Sequence, residues 1–203
     1  MAGRFTLGTT GWLAGVRRVR SPNHDARPPG TAVDLLVVHG ISLPPGRFGG
    51  PWIERLFTNR LDGAAHPYFE RLVGLEVSAH FLIRRDGVLT QFVPVTGRAW
   101  HAGVSSFEGR ARCNDYSIGV ELEGADDRPY TTRQYVRLAR LCTVLMAHHP
   151  AITPQRIVGH SDVAPRRKTD PGPAFDWRRF RRLLAARRRA RGGPRRAATR
   201  RAR

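Results

Sequence analysis

Asp34 to His39 reads DLLVVH, an apolar run with no polar interruption that closes on an imidazole. A strand with one wet face alternates; an unbroken run of this length fits a strand covered on both faces, so the chain is committed to a sheet lying between two layers. The same strand delivers His39 to the sheet edge. Ser117 to Leu122 (SIGVEL) also reads as a strand and ends in Glu121, Leu122 and Glu123, and Ile157 and Val158 form a short last strand leading to His160. Ser78–Arg84 and Val88–Val93 are two further strand-like runs joined through Arg85, Asp86 and Gly87, where Asp-Gly marks a hairpin turn.

Helical signals interleave with these strands. Thr131 and Gln134 form a capping box for a helix over Thr131–His148, with Tyr135, Leu138, Leu141, Cys142, Leu145 and Met146 on one face. Asp176–Arg189 reads as a basic C-terminal helix. Gly40 to Gly74 is a long excursion with short helical pieces at Ile53–Phe57 and Pro67–Val73, and excursions of that length usually cover a site. The expected class is therefore α/β, a single domain with a mixed central β-sheet flanked by helices. The 203 residues, 40% of them hydrophobic, suffice for one core. Residues 1–32 read as an irregular N-terminal arm anchored by Trp12 and Leu13, 33–190 as the domain, and 191–203 as a disordered Arg-rich tail.

The net charge of +19 suggests a nucleic-acid binder until its distribution is examined. Residues 178–203 hold 13 arginines and no acid, which leaves the body with 22 basic and 16 acidic groups, only +6. No aromatic platform for bases accompanies the arginines, so no specific nucleic-acid partner is expected; the tail implies at most non-specific, salt-sensitive polyanion contact. Neither a membrane span nor a signal segment is evident, and Cys113 and Cys142 are too few for a disulfide scaffold. A cytoplasmic protein with reduced, buried cysteines is expected.

The chemistry concentrates in Gly159–Asp170, GHSDVAPRRKTD. Lys168 is the only lysine of the chain, against 34 arginines, and a lysine is a compact ammonium where arginine is a planar fork. His39, His160 and Asp170 make a nitrogen and oxygen set of the kind that holds zinc with a fourth position open; a satisfied polar group at a strand end is the alternative for each histidine. Given zinc, Glu121 is the candidate general base and Lys168 the oxyanion stabiliser, which describes hydrolysis of an amide or ester. A structural Glu121–Lys168 ion pair is the competing reading. His80 is expected to be a hydrogen-bonded core residue, Asp162 to bond backbone in its own turn, and His66, His148 and His149 to face solvent.

The segments LLVVHGISLPPGRFGGPWI, VSAHFLIRRDG, RAWHAGVS, RCNDYSIGVELEG and GHSDVAPRRKTDPGPAFDW closely resemble the zinc-dependent N-acetylmuramyl-L-alanine amidases, in particular the cytosolic AmpD-like branch acting on 1,6-anhydromuropeptides. The resemblance covers roughly residues 11–180 and implies a peptidoglycan-recognition-like fold with one zinc ion on His39, His160 and Asp170. It implies attack by a zinc-bound water with Glu121 as base and Lys168 on the oxyanion, cleaving the amide between (1,6-anhydro)-N-acetylmuramic acid and L-alanine of muropeptides in cell-wall recycling. It further implies that Arg112 receives a stem-peptide carboxylate and that Trp100 and His101 lie by the substrate cleft. Muropeptide receptors of the same fold typically lack a complete zinc set, whereas this chain keeps all five residues. Gly40 departs from the family, which usually has Asn after the first ligand histidine, and the arginine tail has no family counterpart.

Overall fold

In the computed structural model, which describes residues 5–192, the strands at Leu35 and Ser117 lie side by side at the centre of a six-stranded sheet. Its strands are β1 (Arg17–Arg18), β2 (Leu35–Ile41), β3 (Phe81–Ile83), β4 (Leu89–Gln91), β5 (Ser117–Glu123) and β6 (Ile157–Gly159), in the order β6-β2-β5-β3-β4-β1. The hairpin β3–β4 is antiparallel, and the other four pairings are parallel. At its turn Gly87 takes φ +85°, and Asp86 Oδ1 accepts from Val88 N at 2.8 Å.

Both faces of the sheet are covered. Leu36 and Val38 of β2 and Ile118, Val120 and Leu122 of β5 pack beneath two helices, Thr132–His148 and Trp177–Gly192. Leu35 and Val37 point the other way, against Ala102, Cys113, Tyr116 and Val163. Each such side chain contributes on the order of 1.5–3 kcal/mol by leaving water.

Among the described residues the α-helices are α1 (Trp52–Phe57), α2 (Thr132–His148), α3 (His160–Val163) and α4 (Trp177–Gly192). The capping box of α2 is present: Thr131 Oγ1 accepts from Gln134 N at 3.2 Å, and Gln134 Oε1 accepts from Thr131 N at 3.0 Å. Gln134 Nε2 also donates to the carbonyls of Ile83 and Glu123, fixing the start of α2 over β3 and β5. Pro67–Leu72 is a 3-10 rather than an α turn.

The N-terminal arm is more regular than its sequence suggests. Thr6–Leu7 pairs with Leu13–Ala14, β1 joins the main sheet beside β4, and His24–Ala26 pairs with Gly97–Ala99. These strands of two or three residues rest on backbone pairing and so leave no periodic pattern. Leu13 is buried, and Gln91 Oε1 accepts from its backbone N–H at 2.8 Å. Arg27, mostly buried, donates to the carbonyls of Asn114, Asp115 and Ser117 and so pins the arm to the start of β5.

Helix α4 runs through Gly192, and residues 193–203 of the expected tail lie outside the described residues. Among the described residues no helix is long and apolar enough to cross a membrane.

Candidate metal centre

The carboxyl ends of the parallel strands deliver the chemistry, as is usual in open α/β sheets. His39 lies near the end of β2, directly paired with Glu121 of β5. His160 follows β6 and opens α3. Asp170 reaches the same point from the turn after α3, where its carbonyl accepts from Ser161 N at 2.9 Å. His39 Nδ1 and His160 Nδ1 are 3.0 Å apart, and each is 3.2 Å from Asp170 Oδ2.

This triangle has a physical problem that a cation solves. Three lone-pair atoms converge, and one proton can serve only one edge. Zinc bonds of about 2.0–2.1 Å in tetrahedral geometry place neighbouring ligand atoms roughly 3.3 Å apart, close to the edges observed. The donor set of two imidazoles and a carboxylate therefore fits zinc. His160 Nε2 lies 3.3 Å from the Ala102 carbonyl, which assigns its proton to Nε2 and leaves Nδ1 free as a ligand.

The electrostatics agree. Burial pushes the His39 imidazole down to about 4 against the pull of Asp170, so it is neutral and ready to ligate at neutral pH. Burial alone would raise the Asp170 carboxyl, but in the metal-free site the hydrogen bonds that His160 and His39 donate when Nδ1 carries the proton outweigh it and hold the group below the usual carboxylate range. Glu121 is the opposite case. It is 8% exposed, its Oε2 is buried without a hydrogen-bond partner, and burial with Asp170 nearby raises it well above its ordinary value, opposed by Lys168.

Lys168 lines the same cleft as Glu121, His39, His160 and Asp170, a space of about 520 Å³. No ion pair joins Lys168 and Glu121; among the described residues the ammonium has no partner, so the ion-pair reading fails on geometry. Leu56, Tyr68, Leu72, Val77 and Trp100 also line the cleft. A cleft lined by both polar groups and apolar side chains suits an amphiphilic ligand.

Residues 29–173 match the family model described as N-acetylmuramoyl-L-alanine amidase. The chain belongs to that amidase family. It is 59% identical over 174 residues to the 1,6-anhydro-N-acetylmuramyl-L-alanine amidase AmpD of Citrobacter freundii, covering 86% of this chain and 92% of that protein. The crystal structure of a selenomethionine AmpD derivative superposes with a TM-score of 0.85 at 58% identity, over 88% of this chain and 99% of the other. The Escherichia coli amidase AmiD, solved with the substrate anhydro-N-acetylmuramic acid-L-Ala-D-gamma-Glu-L-Lys, superposes with a TM-score of 0.56 at 27% identity, over 88% of this chain and 65% of that one.

Within this amidase the remaining expected residues divide. Trp100 lines the cleft and is held through its backbone N–H by Ser78 Oγ at 3.2 Å. His101 also lines it, but His39 and Ser117 occupy its two ring nitrogens, so it offers a ligand only its ring. Arg112 is not among the cleft-lining residues: it sits in left-handed backbone at φ 61°, its side chain 72% exposed and paired with Asp115 at 3.1 Å.

Asp162 Oδ2 accepts from Gly159 N within its own turn, and His80 is buried with its Nδ1 accepting from Gly119 N. His149 and His66 are half-buried rather than solvent-facing, and His66 Nδ1 accepts from Tyr68 N. At Gly40, an added Cβ would lie 2.3 Å from Tyr130 Oη, which donates to the Pro171 carbonyl at 3.0 Å. The tyrosine thus fills the space beside Gly40 and braces the turn that carries Asp170.

No sequence signal marks Arg167, which donates to the carbonyls of Ala102 and Val104 and steadies the segment that caps His160. Glycine inside a strand run marks close backbone approach, and Gly119 is the one signal in the sequence that a ring packs against β5.

Proposed function

We propose that this amidase cleaves the amide between the lactyl group of 1,6-anhydro-N-acetylmuramic acid and the L-alanine of the stem peptide, as a zinc hydrolase of cell-wall recycling. The observation that carries the reading is the convergence of His39 Nδ1, His160 Nδ1 and Asp170 Oδ2 beside the unpartnered carboxylate of Glu121. The names of the AmpD relatives and the anhydromuramyl ligand of AmiD support the substrate class.

His39, His160 and Asp170 would hold the ion. When bound, zinc supplies Lewis acidity and a nucleophile at neutral pH. Glu121 takes the proton of the attacking water; its raised proton affinity makes it a stronger base than an exposed carboxylate, and the same group then returns the proton to the leaving nitrogen of L-alanine. Lys168, with no competing partner, stabilises the negative charge that develops on the carbonyl oxygen. The apolar side chains of the cleft, Trp100 among them, orient the sugar and exclude water from the reacting bond. Arg112 receives a carboxylate of the stem peptide beyond the cleft; its exposure supports this, since an exposed pairing with Asp115 is worth roughly 0–1 kcal/mol and yields readily.

The proposal includes a cytoplasmic location, in accord with two buried, unpaired cysteines. It also includes non-specific contact with polyanions through exposed arginines such as Arg178, Arg182, Arg188 and Arg189 of α4 and the arginines that follow them.

The test is mass-spectrometric product analysis with anhydromuramyl-tripeptide. Release of free tripeptide that stops on chelation and returns with zinc is the expected result. Folded, zinc-loaded protein that leaves the substrate intact would overturn the assignment.

A further inference from the structure

His101 is placed with more care than a cleft-lining residue needs. Its ring lies flat against β5 at Gly119, where an added Cβ would come within 2.5 Å of its Cγ. Its Nδ1 is 3.0 Å from His39 Nε2 and its Nε2 3.2 Å from Ser117 Oγ, with the His39 and His101 rings at 83°. The backbone beneath it is fixed as well: Asn114 Oδ1 accepts from the N–H groups of His101 and Ala102 at 3.2 and 2.8 Å.

We propose that Ser117, Gly119 and His101 are positioning residues that fix the tautomer and orientation of His39, and through it the zinc affinity of the site. This rests on the metal reading given above.

The proton inventory of the chain has two solutions. In one, His39 carries its proton on Nε2 and donates to His101 Nδ1, and His101 donates from Nε2 to Ser117 Oγ. In the other every proton shifts one place, and His39 carries its proton on Nδ1. Only the first leaves the Nδ1 lone pair facing His160 and Asp170, so a cation at that point requires Ser117 Oγ and His101 Nδ1 to act as acceptors. Gly119 is what allows the ring to reach both partners. A second partner on a ligand histidine commonly sets affinity as well as orientation.

Zinc affinity, measured on apo protein by competition with a fluorescent chelator, separates this from mere packing. His101→Leu fills similar space without an acceptor and should weaken zinc about 10–100-fold. His101→Asn places Oδ1 close to the position of Nδ1 and should recover most of that loss. In the zinc-loaded wild type, the His39 Nε2–H should give a slowly exchanging imidazole resonance in the NMR spectrum, kept in the Asn variant and lost in the Leu variant. Equal affinity of folded Leu variant and wild type, or an Asn variant as weak as Leu, overturns the proposal.

If His101→Leu does not fold, Ser117→Ala decides: weaker zinc binding and faster exchange of the resonance support the chain, and no change in either refutes it. Wild-type protein that takes up no zinc would instead overturn the metal reading, a separate outcome from any difference among the variants.

Discussion

Replacing Glu121 by glutamine removes one charge and one base while keeping the side chain's shape. Glu121 is buried and its Oε2 lacks a partner, so its carboxyl is raised well above its ordinary 4.5. Below that value the group is protonated in both the folded and the unfolded chain and contributes no penalty. As pH rises, the unfolded chain ionises first, and stability is lost until the folded carboxyl titrates in turn. Each unit of upward shift costs about 1.4 kcal/mol at pH above both values.

Glu121→Gln deletes this dependence. The amide that replaces Oε2 is itself unpartnered, at a cost of about 1–3 kcal/mol, but that cost does not vary with pH. The diagnostic is therefore the slope: in urea unfolding of the metal-free protein, the stability of wild type relative to the variant should fall as pH rises above 4.5, until the folded carboxyl titrates, by up to about 1.4 kcal/mol per pH unit. His39 has the opposite sign, since its depressed value destabilises the fold as pH falls, but it is common to both proteins and cancels in the difference to first order. Turnover by the zinc-loaded variant should drop about 10²–10⁴-fold. A stability difference flat in pH would refute the buried, unpartnered carboxylate, and near-normal turnover would refute the base.

Lys168→Ala should fold and retain zinc yet lose on the order of 10²–10³ in turnover, which product-release kinetics and metal analysis would establish together. Because Lys168 is the only lysine, an amine-acylating reagent has one side-chain target; substrate should protect against inactivation, and failure to protect would place the ammonium outside the site. His39→Ala should lose the metal, and an unchanged zinc content would remove it from the ligand set. Tyr130→Phe forfeits the bond to the Pro171 carbonyl and should cost about 1 kcal/mol of stability, read by thermal unfolding.

What was legible in the sequence was whatever repeats or punctuates. The unbroken run at Leu35 announced a covered sheet, Asp86-Gly87 the hairpin, and Thr131 with Gln134 the start of α2. The convergence of His39, His160 and Asp170 was legible because several motifs occur in family order, not because spacing alone brings the three together. The arm was not legible: Arg27 and Gln91 do their work through backbone carbonyls and amides far along the chain, and such partners carry no side-chain signature. Nor was the position of His101, since a histidine facing a ligand and one bracing another histidine read alike until the two rings are placed. Arg112 shows the reverse limit, because a motif names a residue without saying how far its side chain stands from the cleft.

Strand β5 sets Ser117, Gly119, Glu121 and Glu123 on one side and Ile118, Val120 and Leu122 on the other. Glu123 accepts from Gly49 N at 2.6 Å and from Arg85 N at 3.1 Å, so the same row that holds Glu121 also tethers the long excursion over the cleft. A slip of one residue would exchange the two rows, sending three aliphatic side chains into the site and two carboxylates into the core beneath α2. No graded loss of activity lies along that path. A one-residue insertion or deletion that shifts the register of the strand removes the site and the core together.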